Sequence, residues 1–153
     1  MPKRSKEDTE KTINTIMEAV VDQMLNLGYD KMSYTTLSDQ TGISRTGISH
    51  HFPRKTDFTD AIDDKLFTMM AGHLVLDQGV DQFKQSWLTA LADSQFVAII
   101  RLLIHHVVVA EGSLEFANKG LQQLYTLAID RLGEEAEHAV DWLLGKSIVE
   151  MSR

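Results

Sequence analysis

Between Arg45 and His51 the chain carries a guanidinium, two hydroxyls, two imidazoles and a glycine, interrupted by one apolar residue, Ile48. Side chains of these types exchange hydrogen bonds with base edges and phosphate oxygens. Arginine forks onto guanine, and a threonine methyl fits the methyl of thymine. An ordinary core helix has no use for them at this density. Gly47 sits among them although glycine costs about 1 kcal/mol of helix propensity against alanine. Its presence predicts a close backbone approach to a surface.

Such side chains act only if a rigid local frame holds them outward. From Ser33 to Phe58 the sequence reads SYTTLSDQTGISRTGISHHFPRKTDF, which predicts a short helix over 34–41, a turn, and a second short helix from Arg45. Ser33 and Ser44 stand where N-caps belong. Gly42 stands where the first of these helices must stop and the chain turn, often with positive φ. Ile43 plugs the turn, and Leu37, Ile43, Ile48 and Phe52 have spacings suited to a small shared core. Pro53 halts the second helix, and Arg54 and Lys55 open the next with positive charge. A helix-turn-helix of this kind lays its second helix in the major groove of DNA. Some such units mediate protein contacts only.

Thr41-Gly42-Ile43-Ser44 and His51-Phe52-Pro53-Arg54-Lys55 resemble the DNA-binding domain of the TetR family of transcriptional repressors. The stretch from Lys11 to Tyr29 is similar to the family's first helix, ending in a glycine and an aromatic. Two positions depart from the pattern. Ser49 replaces a tyrosine that contacts phosphate in the family, and Thr46-Gly47 replaces a pair with glycine first. No base preference carries over.

The resemblance implies an all-α chain. A three-helix helix-turn-helix DNA-binding domain would occupy 1–53 and a small helical dimerisation and regulatory domain 54–153, with the helix after Pro53 as a shared connector. It further implies a sequence-specific transcriptional regulator, a repressor that binds a palindromic operator as a homodimer and answers to a small-molecule effector. Together with the chemistry above it assigns Lys55 to phosphate, with Ser33, Ser49 and His51 as further phosphate contacts. Arg45, Thr46 and His50 fall to base edges, with Gly47 between them. The competing reading is a helical dimer that acts as a protein-interaction module without DNA binding. The missing tyrosine and a net charge of −7 favour it.

That charge is unevenly spread. Residues 1–60 hold eight basic and nine acidic side chains, and residues 61–153 hold seven and thirteen. The phosphate-neutralising contribution needs only a local patch, which Lys3, Arg4, Lys6, Arg45, Arg54 and Lys55 supply. The acidic remainder discourages indiscriminate adhesion to DNA.

A chain of 153 residues, 43% hydrophobic with two prolines, suits a compact helical protein. The absence of cysteine excludes disulfides, thiolate metal sites and thiol catalysis, and the cytoplasm is the expected compartment. The charged start MPKRSKEDTEKT, with no apolar run behind it, is not expected to act as a secretion signal. The apolar stretch 96–110 is broken by Arg101 and His105-His106 and is too short to span a bilayer, so no membrane partner is expected. The pairs His50-His51 and His105-His106 diverge by about 100° on a helix and share a metal poorly. No zinc-binding histidine motif or phosphate-cradling glycine loop is present. No catalysis, metal or cofactor is expected.

Apolar periodicity predicts helices over 7–27, 54–76, 82–92, 95–110, 114–132 and 135–151 in addition to the short pair. Ser5 with Asp8 would cap the first, and Ser113 the one from 114. The stripe Phe58, Ile62, Leu66, Met69 and His73 predicts a long connector closed by Gly79. The helix over 95–110 is apolar nearly all round and is expected at the centre of the core. Ala117, Leu121, Leu124 and Ala128 form a narrow seam, as do Val140, Leu144, Ser147 and Ile148. The family dimerises through its last two helices, which makes these seams the expected interface; the alternative is that they close the protomer's own core. A ligand pocket, if built here, would be lined by Trp87, Phe96, His105, Phe116, Tyr125 and Trp142, although each reads first as plain core.

Overall fold

The computed structural model describes residues 5–109 and 114–153. The chain is all-α. Among the described residues run α1 (Lys6–Asn26), α2 (Tyr34–Thr41), α3 (Arg45–His51), α4 (Lys55–Ala71), α5 (Gly79–Ala90), α6 (Ser94–Val108), α7 (Leu114–Leu132) and α8 (Ala136–Met151). The chain divides into two compact units, one ending at Ile62 and the other beginning at Asp63. The division falls inside α4, which contributes its first turns to one unit and its remainder to the other.

In the N-terminal unit the caps are local and literal. The Ser5 hydroxyl accepts from Asp8 N–H, that of Ser33 from Thr36 N–H, and that of Ser44 from Gly47 N–H. Each removes one unpaired donor at a helix start. Gly42 ends α2 with φ +74°, a conformation in which any side chain is strained. The core is a stack of Ile16, Val20 and Met24 from α1 against Leu37, Ile48, Phe52 and Phe58. The Phe58 ring centroid lies 5.1 Å from Phe52 and 5.4 Å from Tyr34. Gln23 is buried, and its amide joins α1 to α2 by donating to Thr36 O at 3.0 Å and accepting from the Thr36 hydroxyl at 2.6 Å.

In the C-terminal unit α6 packs on α7, α7 on α8, and α5 on α8. Phe83, Trp87 and Phe96 are fully buried, with the Trp87 and Phe96 rings edge to face at 5.4 Å. A Cβ on Gly120 would stand 3.0 Å from Leu103 Cδ1, so glycine lets α7 close against α6. Lys119 Nζ reaches Asp63 Oδ2 at 2.7 Å and ties α7 to α4.

Several sequence expectations need correction. The connector stops at Ala71 rather than near 76, because Gly72 and His73 leave the helix in a tight turn, with His73 N–H bonded to Met70 O. Gly79 does not close that helix but opens α5, with φ +87°. Met70, not Met69, is the buried methionine of α4. Helix α6 is not buried all round: Arg101, Val107 and Val108 are exposed. Ser113 lies outside the described residues. The seams mostly close the unit's own core. Ala117, Leu124, Ala128, Val140 and Ser147 are at most 1% exposed within the single chain, Leu121 and Leu144 are half-buried, and Ile148 is exposed.

Candidate nucleic-acid interface

The short helix α3 is amphipathic in the strict sense. Ile48 is fully buried and Phe52 at its C-cap nearly so, which roots the helix on α2 and α4 and turns Arg45, Thr46 and His50 to solvent. The hydroxyl of Tyr34 donates to Phe52 O at 2.5 Å and pins the end of α3 to the start of α2. An exposed helix face is thus held by a buried one.

A half-open groove of about 700 Å³ runs along this face, with Thr9 and Thr12 of α1 on one side and Ser44, Thr46, Gly47, His50 and His51 on the other. Four of the eight predicted residues therefore share one concavity. Arg45 is exposed beside it. Ser49 is half-buried, and its hydroxyl donates to Thr46 O at 3.2 Å, which leaves the oxygen able to accept but spends its proton. Ser33 uses its oxygen in the α2 cap and keeps its proton for an outside acceptor. The rings of His50 and His51 meet edge to face at 5.1 Å.

Gly47 has a reason nearer than any outside surface. A Cβ there would lie 3.1 Å from Ile43 Cγ2 and 3.2 Å from Ser44 Oγ, tighter than ordinary van der Waals contact. The glycine lets the first turn of α3 settle over the apolar plug of the turn. The close neighbour is Ile43 of the same unit, not an outside surface.

Lys55 begins α4 with its ammonium 4.3 Å from the centroid of the Tyr29 ring. The aromatic face attracts the cation and fixes where it points. Burial pulls its pKa below the usual lysine range, and the Asp30 carboxylate pulls partly back. The adjoining Arg54 is less available than sequence suggests: its guanidinium lies 3.1 Å from Asp57 Oδ1, and its backbone N–H donates to Oδ2 of the same residue at 2.8 Å. The N–H and guanidinium of Arg54 hold the Asp57 carboxyl below its ordinary range. Lys3 and Arg4 of the predicted basic patch lie outside the described residues.

Thr9, Thr12 and Tyr29 were missed in the sequence. Thr9 and Thr12 are three apart on the polar side of α1, a spacing that marks a shared face but not what it faces. Tyr29 was visible as part of the glycine-aromatic end of the first helix, without its role under Lys55.

The predicted pocket residues do not converge. Trp87 and Phe96 are sealed core, Trp142 is 48% exposed, and the Tyr125 hydroxyl donates to Asp141 across α7 and α8. His105 is half-buried. A small cavity of about 30 Å³ between α4, α6 and α7 is bordered by Phe116 alone among the six; its other walls include Leu66, Met70 and Leu103. That volume holds about one water molecule.

Residues 63–151 match the family described as the tetracycline repressor LuxT C-terminal domain. The match covers more than half of the chain, and the chain belongs to this family of TetR-type regulators. No curated protein matches the chain. The match begins at Asp63, the residue at which the second compact unit begins. It identifies the C-terminal unit as a regulatory domain of transcriptional regulators, which points away from an enzyme. Among the described residues no single helix is long and apolar enough to cross a membrane.

Proposed function

We propose that the chain is a DNA-binding transcriptional repressor whose α3 reads base edges in the major groove. The observation that carries the reading is the division of α3 itself: Ile48 is anchored in the core while Thr46 and His50 line the groove with Thr9 and Thr12 and Arg45 is exposed beside it. Lys55, oriented by Tyr29, supplies a fixed cation for a phosphate oxygen, with Ser33, Ser49 and His51 in support. An operator read by a two-fold dimer is palindromic, with half-sites spaced by one helical turn, roughly 34 Å.

The dimer reading moves to a different face of α8. Trp142, Ile148 and Val149 are each close to half exposed, and Gly145 lies among them with nothing beyond its own helix backbone within 4 Å of an added Cβ. A glycine inside a helix with no neighbour in its own chain fits the close approach of a second helix. A small-molecule effector would have to widen the cavity between α4, α6 and α7 from its size of about 30 Å³, so binding and a shift in helix spacing would be one event.

Selection of bound duplexes from a random library at moderate salt tests the reading. Enrichment of one palindrome is expected. No enrichment, with the chain still dimeric in sedimentation, would favour a protein-interaction module instead.

A further inference from the structure

The C-terminal unit carries seven basic and thirteen acidic residues, yet three of those seven cations meet at one place. Where the end of α5, the start of α6 and the last turns of α8 come together lies a half-open groove of about 580 Å³. Leu88, Leu91, Val97 and Met151 line it, each only half-buried. Arg101, Lys146 and Arg153 rim it, with Glu150 the one acid. Lys146 lies 3.6 Å and Arg153 3.2 Å from Glu150, so a single carboxylate is shared by two cations. Arg101 is exposed, and its guanidinium makes no ion pair or hydrogen bond among the described residues. The groove is therefore locally positive on a unit that is otherwise strongly negative, and its floor is apolar surface the unit leaves open to water.

We propose that this groove docks an acidic, amphipathic segment of a partner protein. The apolar floor takes leucine-like anchors at helical spacing, and the carboxylates between them pair with Arg101 and with the cations that now share Glu150. Charge complementarity selects the occupant. The acidic surround repels a generic acidic protein except at this spot, which favours specificity and encounter rate. Shape selects against a small molecule, whose sites bury most of its surface; this groove is open along one side. A nucleic acid would gain from the three cations but nothing from Leu88, Leu91 and Met151. The inference is independent of the reading of α3, since every residue it uses lies in the C-terminal unit.

The test uses the full chain and a fluorescein-labelled helical peptide of leucine and glutamate, with leucine set at i, i+3, i+4 and i+7. The same peptide with lysine for glutamate is the control. The glutamate peptide should bind saturably and weaken with salt, and the lysine peptide should bind at least about tenfold more weakly. Arg101→Glu should lower affinity for the glutamate peptide by about tenfold or more; Arg101 has no internal partner, and circular dichroism with thermal melting verifies that the variant folds. Leu91→Glu, at the floor, should act in the same direction. The proposal is overturned if both peptides bind alike, if neither binds, or if Arg101→Glu leaves affinity unchanged. It is equally overturned if Arg101→Glu alone converts a larger species to a smaller one in sedimentation, because the occupant is then a second copy of this chain. DNA binding, read in parallel, should be unaffected by either substitution.

Discussion

The indole N–H of Trp87 donates to the hydroxyl of Ser147 at 2.8 Å, both residues fully buried, and the Ser147 hydroxyl donates in turn to Leu143 O at 2.7 Å. This short chain of hydrogen bonds joins α5 to α8 in the centre of the C-terminal unit. It gives a polar residue in an apolar seam a defined purpose. Ser147→Ala leaves a buried indole donor without its partner, which costs about 1–3 kcal/mol. Urea unfolding should register that loss as a lower midpoint with unchanged slope. An unaltered midpoint would mean that the contact contributes nothing net.

Arg45 and Lys55 should fail differently. Lys55→Ala removes a cation aimed by Tyr29 and should weaken all duplexes about equally, reducing the slope of log affinity against log salt by about one. Arg45→Ala should relax preference at particular base pairs, by about 1–3 kcal/mol each, and leave the others as they were. Binding titrations at several salt concentrations on the selected site and its single-base variants separate the two. Identical behaviour would remove the division of roles.

The exposed face of α8 makes its own forecast. Val149→Glu puts a charge among Trp142, Gly145 and Ile148 and should weaken self-association by about thirtyfold or more if this face holds the partner. In that background Gly145→Ala should raise stability by about 1 kcal/mol, because alanine is the better helix former and meets no atom of its own chain beyond the helix backbone. In the unaltered dimer the gain should shrink or reverse, since a second helix would occupy the space. Sedimentation and thermal melting of the four proteins decide it. A dimer indifferent to Val149→Glu places the interface elsewhere.

Tyr125 supplies a pH dependence. Burial first, then the hydrogen bond to Asp141 and that carboxylate's charge, pushes the phenol pKa up to about 12 from its ordinary value of 10.0. The folded value lies above the unfolded one, so the contact contributes fully below pH 10 and is lost as pH rises toward 12. Tyr125→Phe should flatten the decline in stability across that alkaline window. It should also delete one late-ionising tyrosine from an absorbance titration. Loss of phenolate absorbance near pH 10 instead of near pH 12 would show that Tyr125 ionises like a free phenol.

The serine caps and the turn at Gly42 follow from local physics. Ser5, Ser33 and Ser44 cap helices because a hydroxyl three residues before an N–H meets it whatever the rest of the chain does. Gly42 turns left-handed for an equally local reason. The outward residues of α3 were legible because Ile48 is the one apolar side chain between Arg45 and His51. The end of α4 was not, because an apolar stripe through Met69 and His73 says nothing about the turn taken at Gly72. Nor could six aromatics and histidines disclose that Trp87 and Phe96 would face each other rather than a ligand.

The sequence by itself determined the serine-capped starts of α1, α2 and α3, which short helix presents polar groups, and that most of the net negative charge lies behind position 60. Those properties follow from neighbours within four residues or from simple counting. Only the tertiary structure decided which half of each apolar helix is covered. A seam such as Ala117-Leu124-Ala128 has the same pattern whether it meets its own chain or another, and α6 and α8 of the same chain reach it first. What they left uncovered, Trp142 with Val149 on one face and Leu91 with Arg101 beside another, depends on the distance between helices far apart in sequence, which no periodicity records.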